Sequence, residues 1–355
     1  MQEDLISVLK IRFDKVTLAE ATEKALELAK RNHQAYIATP NPEMLLEAGK
    51  NQEFAKVLNN SALNIPDGTG ILWATKYNDI TRNNHSKGIK ILKWIYSLII
   101  VPFYPKYIRG ILKERVTGVD LMEEICKNSP KNNLKIYLLG AEEGIAEKVR
   151  EVLEKKYPDI KIVGTFSGTP KIEDEKEITS KVNDSKAQIL FVAYGAPKQE
   201  LWIVRNLSKM PEVKLAIGVG GSFDFIAGTR KRAPKIMQKL GLEWLYRLLQ
   251  EPSRTGRIYN AAVKFPIKVL KNSLFLLGLF GFRPFFHSHF DIRLNLFYHV
   301  IESTERFNYR RMNFADNLGD IINNFRNISE NQNHVQKKYG NENHQHDKTD
   351  SQGHV

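Results

Sequence analysis

The chain has 355 residues, 42% of them hydrophobic and 10% aromatic, enough for one large or two modest globular domains. A formal charge of +13 favours an anionic partner: nucleic acid, an anionic membrane or a phosphorylated substrate. The single Cys126 excludes an internal disulfide and fits a reducing compartment. The start of the chain lacks signal-peptide features, and its longest apolar runs (94–104 and 274–282) fall short of the roughly 20 residues that cross a bilayer.

Ile6 to Ile11 reads as a strand, and Thr17 to Asn32 as a helix opened by the capping box Thr17-x-x-Glu20. Ala35 to Ala38 is a second strand, after which Asn41 caps a helix with Pro42 at its first position. Ala62 to Ile65 is a third strand. Cys126 sits in apolar periodicity with Leu121, Met122 and Ile125, as a buried structural thiol does. Strands at 135–139, 161–164, 189–193 and 215–219 then alternate with helices at 142–156, 173–183 and 198–208. The pattern predicts an α/β fold: a Rossmann-like, doubly wound, mostly parallel sheet flanked by helices.

Two regions break the rhythm. In 83–113, lysines flank the apolar core Trp94 to Tyr104, which suits an interfacial membrane segment and equally a helical hairpin packed on the domain. From 229 the chain is basic and apolar. Lys264, Lys268 and Lys271 form one helical stripe beside Val263, Ile267, Leu270, Leu274 and Leu277, with Phe265 and Val269 on the far side. Such a helix suits the plane of a membrane, its lysines reaching headgroups. The chain thus divides into an α/β domain (1–228, with 83–113 inserted), a basic helical appendage (229–300) and a polar tail (301–355) expected to be largely disordered. All the strands precede Ile258, so truncation there is expected to spare the sheet.

Ligands of doubly wound sheets sit at the carboxyl ends of strands. Thr39, Asn41, Asp67, Gly195 to Gln199, and Gly220 to Asp224 all fall there. Asn64-Ile65-Pro66-Asp67-Gly68-Thr69-Gly70 holds one carboxylate in a tight turn among apolar neighbours. Pro-Asp-Gly also makes ordinary surface turns. Placed in a cleft, the same acid is desolvated, its pKa rises and it becomes a general base suited to neutral pH. The glycines of 218–221 offer backbone amides to a diphosphate. They fail as a dinucleotide fingerprint, because Phe223 stands where the third glycine belongs.

Taken with Ala38-Thr39-Pro40-Asn41-Pro42-Glu43, Arg115-Val116-Thr117-Gly118-Val119-Asp120, Ala193 to Glu200, Arg232-Ala233-Pro234 and Trp244 to Arg254, the turn resembles the WecG/TagA/CpsF family, glycosyltransferase family 26, over roughly residues 5–257. The resemblance marks 83–113 as an insertion. It implies transfer of an N-acetylmannosamine-type sugar from a UDP donor to a polyprenyl-diphosphate-linked N-acetylglucosamine, in teichoic acid or other envelope polysaccharide synthesis. It further implies Asp67 as the base of an inverting displacement, and Thr39, Asn41, Gln199, Gly220 and Gly221 at substrate. Arg247, Arg254 and Arg257 would lie on the diphosphate, although a basic face touching lipid headgroups fits them too. Lys198 and Glu200 read as decoration of a helix start. No Asp-x-Asp pair occurs, so arginine forks are expected to replace a metal, with no cofactor. The implied place is the cytoplasmic face of the membrane, attached peripherally, with oligomeric state open. Rival readings are a basic lipid- or RNA-binding module without catalysis and a nicotinamide enzyme. The charge supports the first, but the aromatic-basic alternation of a stacking platform is missing, so nucleic acid is not expected.

Overall fold

The chain opens with a hairpin, β1 (Ile6–Val8) and β2 (Ile11–Phe13), paired antiparallel. The expected single strand over Ile6 to Ile11 is therefore corrected. Leu9 and Lys10 form its turn at φ 50° and 70°. Such turns need positive φ at both central residues, which Asn and Gly announce and Leu and Lys do not. The support comes from afar: Asn59 accepts from the Arg12 N–H at 3.0 Å and donates to the Lys10 carbonyl at 3.0 Å.

In this computed structural model, residues 6–84, 86–251 and 255–279 are described, all within one compact unit, Met1–Gly281. Helix α1 (Leu18–Leu28) carries the expected reciprocal Thr17/Glu20 cap. There follow β3 (Ala35–Ala38), α2 (Pro42–Ala48), α3 (Gln52–Asn60), β4 (Leu63–Asn64), α4 (Thr69–Thr81), α5 (Lys87–Phe103) and α6 (Gly118–Asn128). Next come β5 (Lys135–Gly140), α7 (Ile145–Lys156), β6 (Lys161–Phe166), α8 (Glu175–Ser185), β7 (Ile189–Ala193), α9 (Lys198–Asn206), β8 (Leu215–Gly218) and α10 (Ser222–Ile226). The run closes with α11 (Lys235–Leu240), α12 (Glu243–Gln250), α13 (Thr255–Tyr259), a π-helical segment (Asn260–Lys264) and α14 (Phe265–Leu279). The polar tail 301–355 lies outside the described residues.

Strands β3 to β8 form one parallel sheet in the order β4-β3-β8-β7-β5-β6. Its side chains alternate as a pleat dictates. Ile136, Leu138, Ile189 and Phe191 enter a core shared with α1, α6, α7 and α10, while Tyr137, Leu139, Leu190 and Val192 enter another shared with α8 and α9. Helices on both faces give the doubly wound fold that the sequence predicts. Cys126 is buried in the first core, which pushes its thiol pKa up and keeps it inert.

A third core joins the hairpin, α2, α3 and α4 to Phe265 and Val269 of α14, both fully buried. The far side of the basic helix is thus its packing face. Inner residues of α5 pin α14 in place. Trp94 Nε1 donates to the Pro266 carbonyl at 3.0 Å, and buried Lys90 Nζ donates to the Ser273 carbonyl at 2.8 Å. The 83–113 segment therefore packs on the domain by one face of α5. Among the described residues no helix is long and apolar enough to cross a membrane.

Candidate active site

The turns after β3, β4, β7 and β8 meet at the carboxyl edge of the sheet and enclose a cleft of about 420 Å³. Thr39, Asn41, Asp67, Gln199, Gly220, Gly221, Arg247 and Arg257 all line it. Arg254 lies outside the described residues.

Asp67 owes its place to backbone ties. Its N–H donates to the Pro40 carbonyl at 3.1 Å, and the Val116 N–H donates to the Pro66 carbonyl at 3.2 Å, fastening three loops together. Gly68 adopts φ 103°, which a side chain would resist, and a Cβ on Gly70 would sit 2.7 Å from Pro42. Half-buried Asp67 stands just before Gly68, the N-cap of α4, and its carboxylate makes no hydrogen bond or ion pair among the described residues. Desolvation pushes its pKa up to about 6 against the pull of Arg115 and Arg247, with Glu243 and Asp120 adding to the rise.

Around that acid the cations come in pairs with carboxylates. Buried Glu243 of α12 bridges Arg115 at 2.9 Å and Arg247 at 2.8 Å. Arg247 also stacks on the Phe225 ring at 4.8 Å, and its Nε is buried with no acceptor among the described residues. Arg232 grips Asp120 with both terminal nitrogens, at 2.5 and 2.7 Å. Arg230 pairs with Asp224 at 3.2 Å, and Arg257 with Glu43 at 2.8 Å. Of the acids lining the cleft, among the described residues, Glu43 and Glu243 are engaged by arginine, whereas Asp67 and Glu47 of α2 are not. The arrangement can take a proton at Asp67 and present guanidinium forks to an anion.

Thr39 is buried, its hydroxyl 3.4 Å from the Gly218 carbonyl. Asn41 spends its side-chain oxygen on the Met44 N–H at 3.0 Å, as its capping role requires. Gln199 is 3% exposed and works as a clasp. Its oxygen accepts from the Gly195 and Gly220 N–H groups at 3.1 and 3.0 Å, and its amide donates to Glu200 at 2.7 Å. The Gly220 amide expected to greet a diphosphate is thus already occupied. Gly218 must lack a side chain, since a Cβ would stand 2.6 Å from the Gln199 nitrogen. Reading Glu200 as surface decoration is corrected: it is buried, its second oxygen has no partner among the described residues, and desolvation pushes its pKa up to about 7. Lys198 is exposed, as expected.

Sequence reasoning assigned no roles to Arg115, Asp120, Arg230, Arg232 or Glu243. Arg115, Asp120 and Arg232 stood in the runs that carry the family resemblance, so a signal was there. Glu243 offered only its i,i+4 spacing to Arg247 on one helix, because its second partner, Arg115, is brought to it by the fold alone.

The N-acetylglucosaminyldiphosphoundecaprenol N-acetyl-beta-D-mannosaminyltransferases of Staphylococcus aureus strains MRSA252 and MW2 are each 29% identical over 268 residues, covering 75% of this chain and 92% of theirs. A model of the glycosyl transferase WecG/TagA/CpsF family matches residues 6–100 and 99–277, nearly all of the compact unit that holds the cleft, and the chain belongs to that family.

Proposed function

We propose that this glycosyltransferase moves N-acetylmannosamine, or a close relative, from a UDP-sugar to a polyprenyl-diphosphate-linked N-acetylglucosamine in teichoic acid or another envelope polysaccharide. The observation that carries the reading is Asp67: a carboxylate that desolvation poises near neutrality, in the wall of an arginine-lined cleft. Asp67 takes the proton of the acceptor hydroxyl as that oxygen attacks the anomeric carbon, and the sugar inverts in a single displacement. Arg247 and Arg257, with Arg254, meet the charge that gathers on the departing UDP, and no metal is needed. The relatives' names support the acceptor and the transferred sugar. A lipid-linked acceptor fits a protein held peripherally at the cytoplasmic face of the membrane. The test is a panel of UDP-sugars offered with a lipid-linked N-acetylglucosamine acceptor. Turnover with UDP-N-acetylmannosamine above the epimeric UDP-N-acetylglucosamine is expected, and turnover with none of the panel would overturn the reading.

A further inference from the structure

Helix α5 has a second face. Trp94, Leu98 and Val101 pack inward, Ser97 accepts from Trp73 at 2.9 Å and Lys90 is buried. On the opposite side Leu92 is 67% exposed, Ile99 61% and Phe103 81%, with Ile89, Ile95 and Tyr96 also exposed along the same stripe. Helix α11, which abuts α5, carries a further exposed apolar side chain, Ile236, 72% exposed. The inner hydrogen bonds fix how α5 rolls, so the stripe cannot turn inward without breaking them.

Charge indicates the occupant. Between Asp79 and Glu114 there is no acidic residue, and Arg82, Lys87, Lys106 and Arg109 are exposed, as is Lys113, which pairs with Glu20 at 3.8 Å. Lys87 opens α5, while Lys106 and Arg109 follow its end. A second copy of this chain docked by two-fold symmetry would bring two predominantly cationic rims together. An anionic lipid surface instead offers acyl chains to the stripe and headgroups to the rim. At 17 residues, about 25 Å long, α5 is an in-plane element.

We infer that the outer face of α5, extended by Ile236, is the surface by which the protein lies on anionic lipid. This deepens the peripheral attachment proposed above by naming the surface. Vesicle binding is read without turnover, so its failure and that of the catalytic reading are distinguishable. The experiment is flotation of the full-length protein with phosphatidylglycerol-rich or pure phosphatidylcholine vesicles, beside the triple variant L92Q/I99Q/F103Q. These side chains are exposed, so the variant should melt like the parent, and its turnover on a short-chain soluble acceptor should match. Expected are binding to the anionic vesicles, far weaker binding to the neutral ones, and a loss of about tenfold or more in the triple variant. A second variant, K87E/K106E/R109E, should lose binding most strongly at low salt. Undiminished binding by the triple variant would overturn the assignment, as would a parent that ignores anionic vesicles. So would loss of binding only on removal of the residues after Leu279, or a parent dimer in light scattering that the triple variant dissociates.

Discussion

Asp67 and Glu200 are two acids that burial pushes toward neutrality in different settings, and they should answer differently to experiment. Asp67 opens on the cleft, so Asp67→Asn should lower kcat by about 10²-fold or more with donor affinity little changed, in steady-state assays. A base works deprotonated, so kcat/KM should rise with pH through about 6. Arg115 is the cation that most opposes the upward shift of the Asp67 pKa, and Arg115→Met should move the limb to higher pH. Glu200 is buried beneath the clasp. Its folded pKa, raised from 4.5 to about 7, means the folded state binds its proton more tightly than the unfolded chain does. That stabilisation is fully present below the unfolded value and is lost as pH rises through about 7. Glu200→Gln keeps an acceptor for Gln199 but cannot titrate. Its denaturant stability relative to the parent should therefore improve by a few kcal/mol between about pH 4.5 and 7. A pH-independent difference would show that folding does not raise the pKa of Glu200.

Among the elements, α14 shows how a periodic stripe can mislead. Its lysines and aliphatic residues suggested a helix laid on a membrane and removable with the chain from Ile258. The structure instead buries Phe265 against Trp73, ring centroids 6.5 Å apart, within the third core. Truncation before Ile258 would open that core and remove Asn260 and Lys264 from the wall of the cleft. It should lower the melting temperature and cut turnover even on a soluble acceptor. Phe265→Ala alone should cost about 3–5 kcal/mol in denaturant unfolding. The arginines of α12 and α13 belong to the same set of elements. If guanidinium forks replace a metal, EDTA should leave turnover intact, while Arg247→Lys should slow it because a point charge cannot reproduce the fork.

For the molecule as a whole, the cleft should make UDP a stabilising ligand. UDP at 100-fold its Kd should add about 2.7 kcal/mol and raise the melting temperature, whereas NAD or RNA should not. Much of this was legible along the chain. Alternation placed the six sheet strands to within a few residues, Thr17 and Asn41 announced their caps, and Pro66-Asp67-Gly68 announced the acid, because those signals are local backbone chemistry. The cleft itself followed from one topological rule, that turns after parallel strands gather at one edge. Only the tertiary structure decided what each side chain meets there. It buried Glu200 under Gly218, set Gln199 across two turns and joined Arg115 to Glu243 over 128 positions. It also gave α5 one face for the core and one for the exterior. Burial and ion pairing depend on which distant residues fold into contact, and a spacing along one strand or helix carries no record of that.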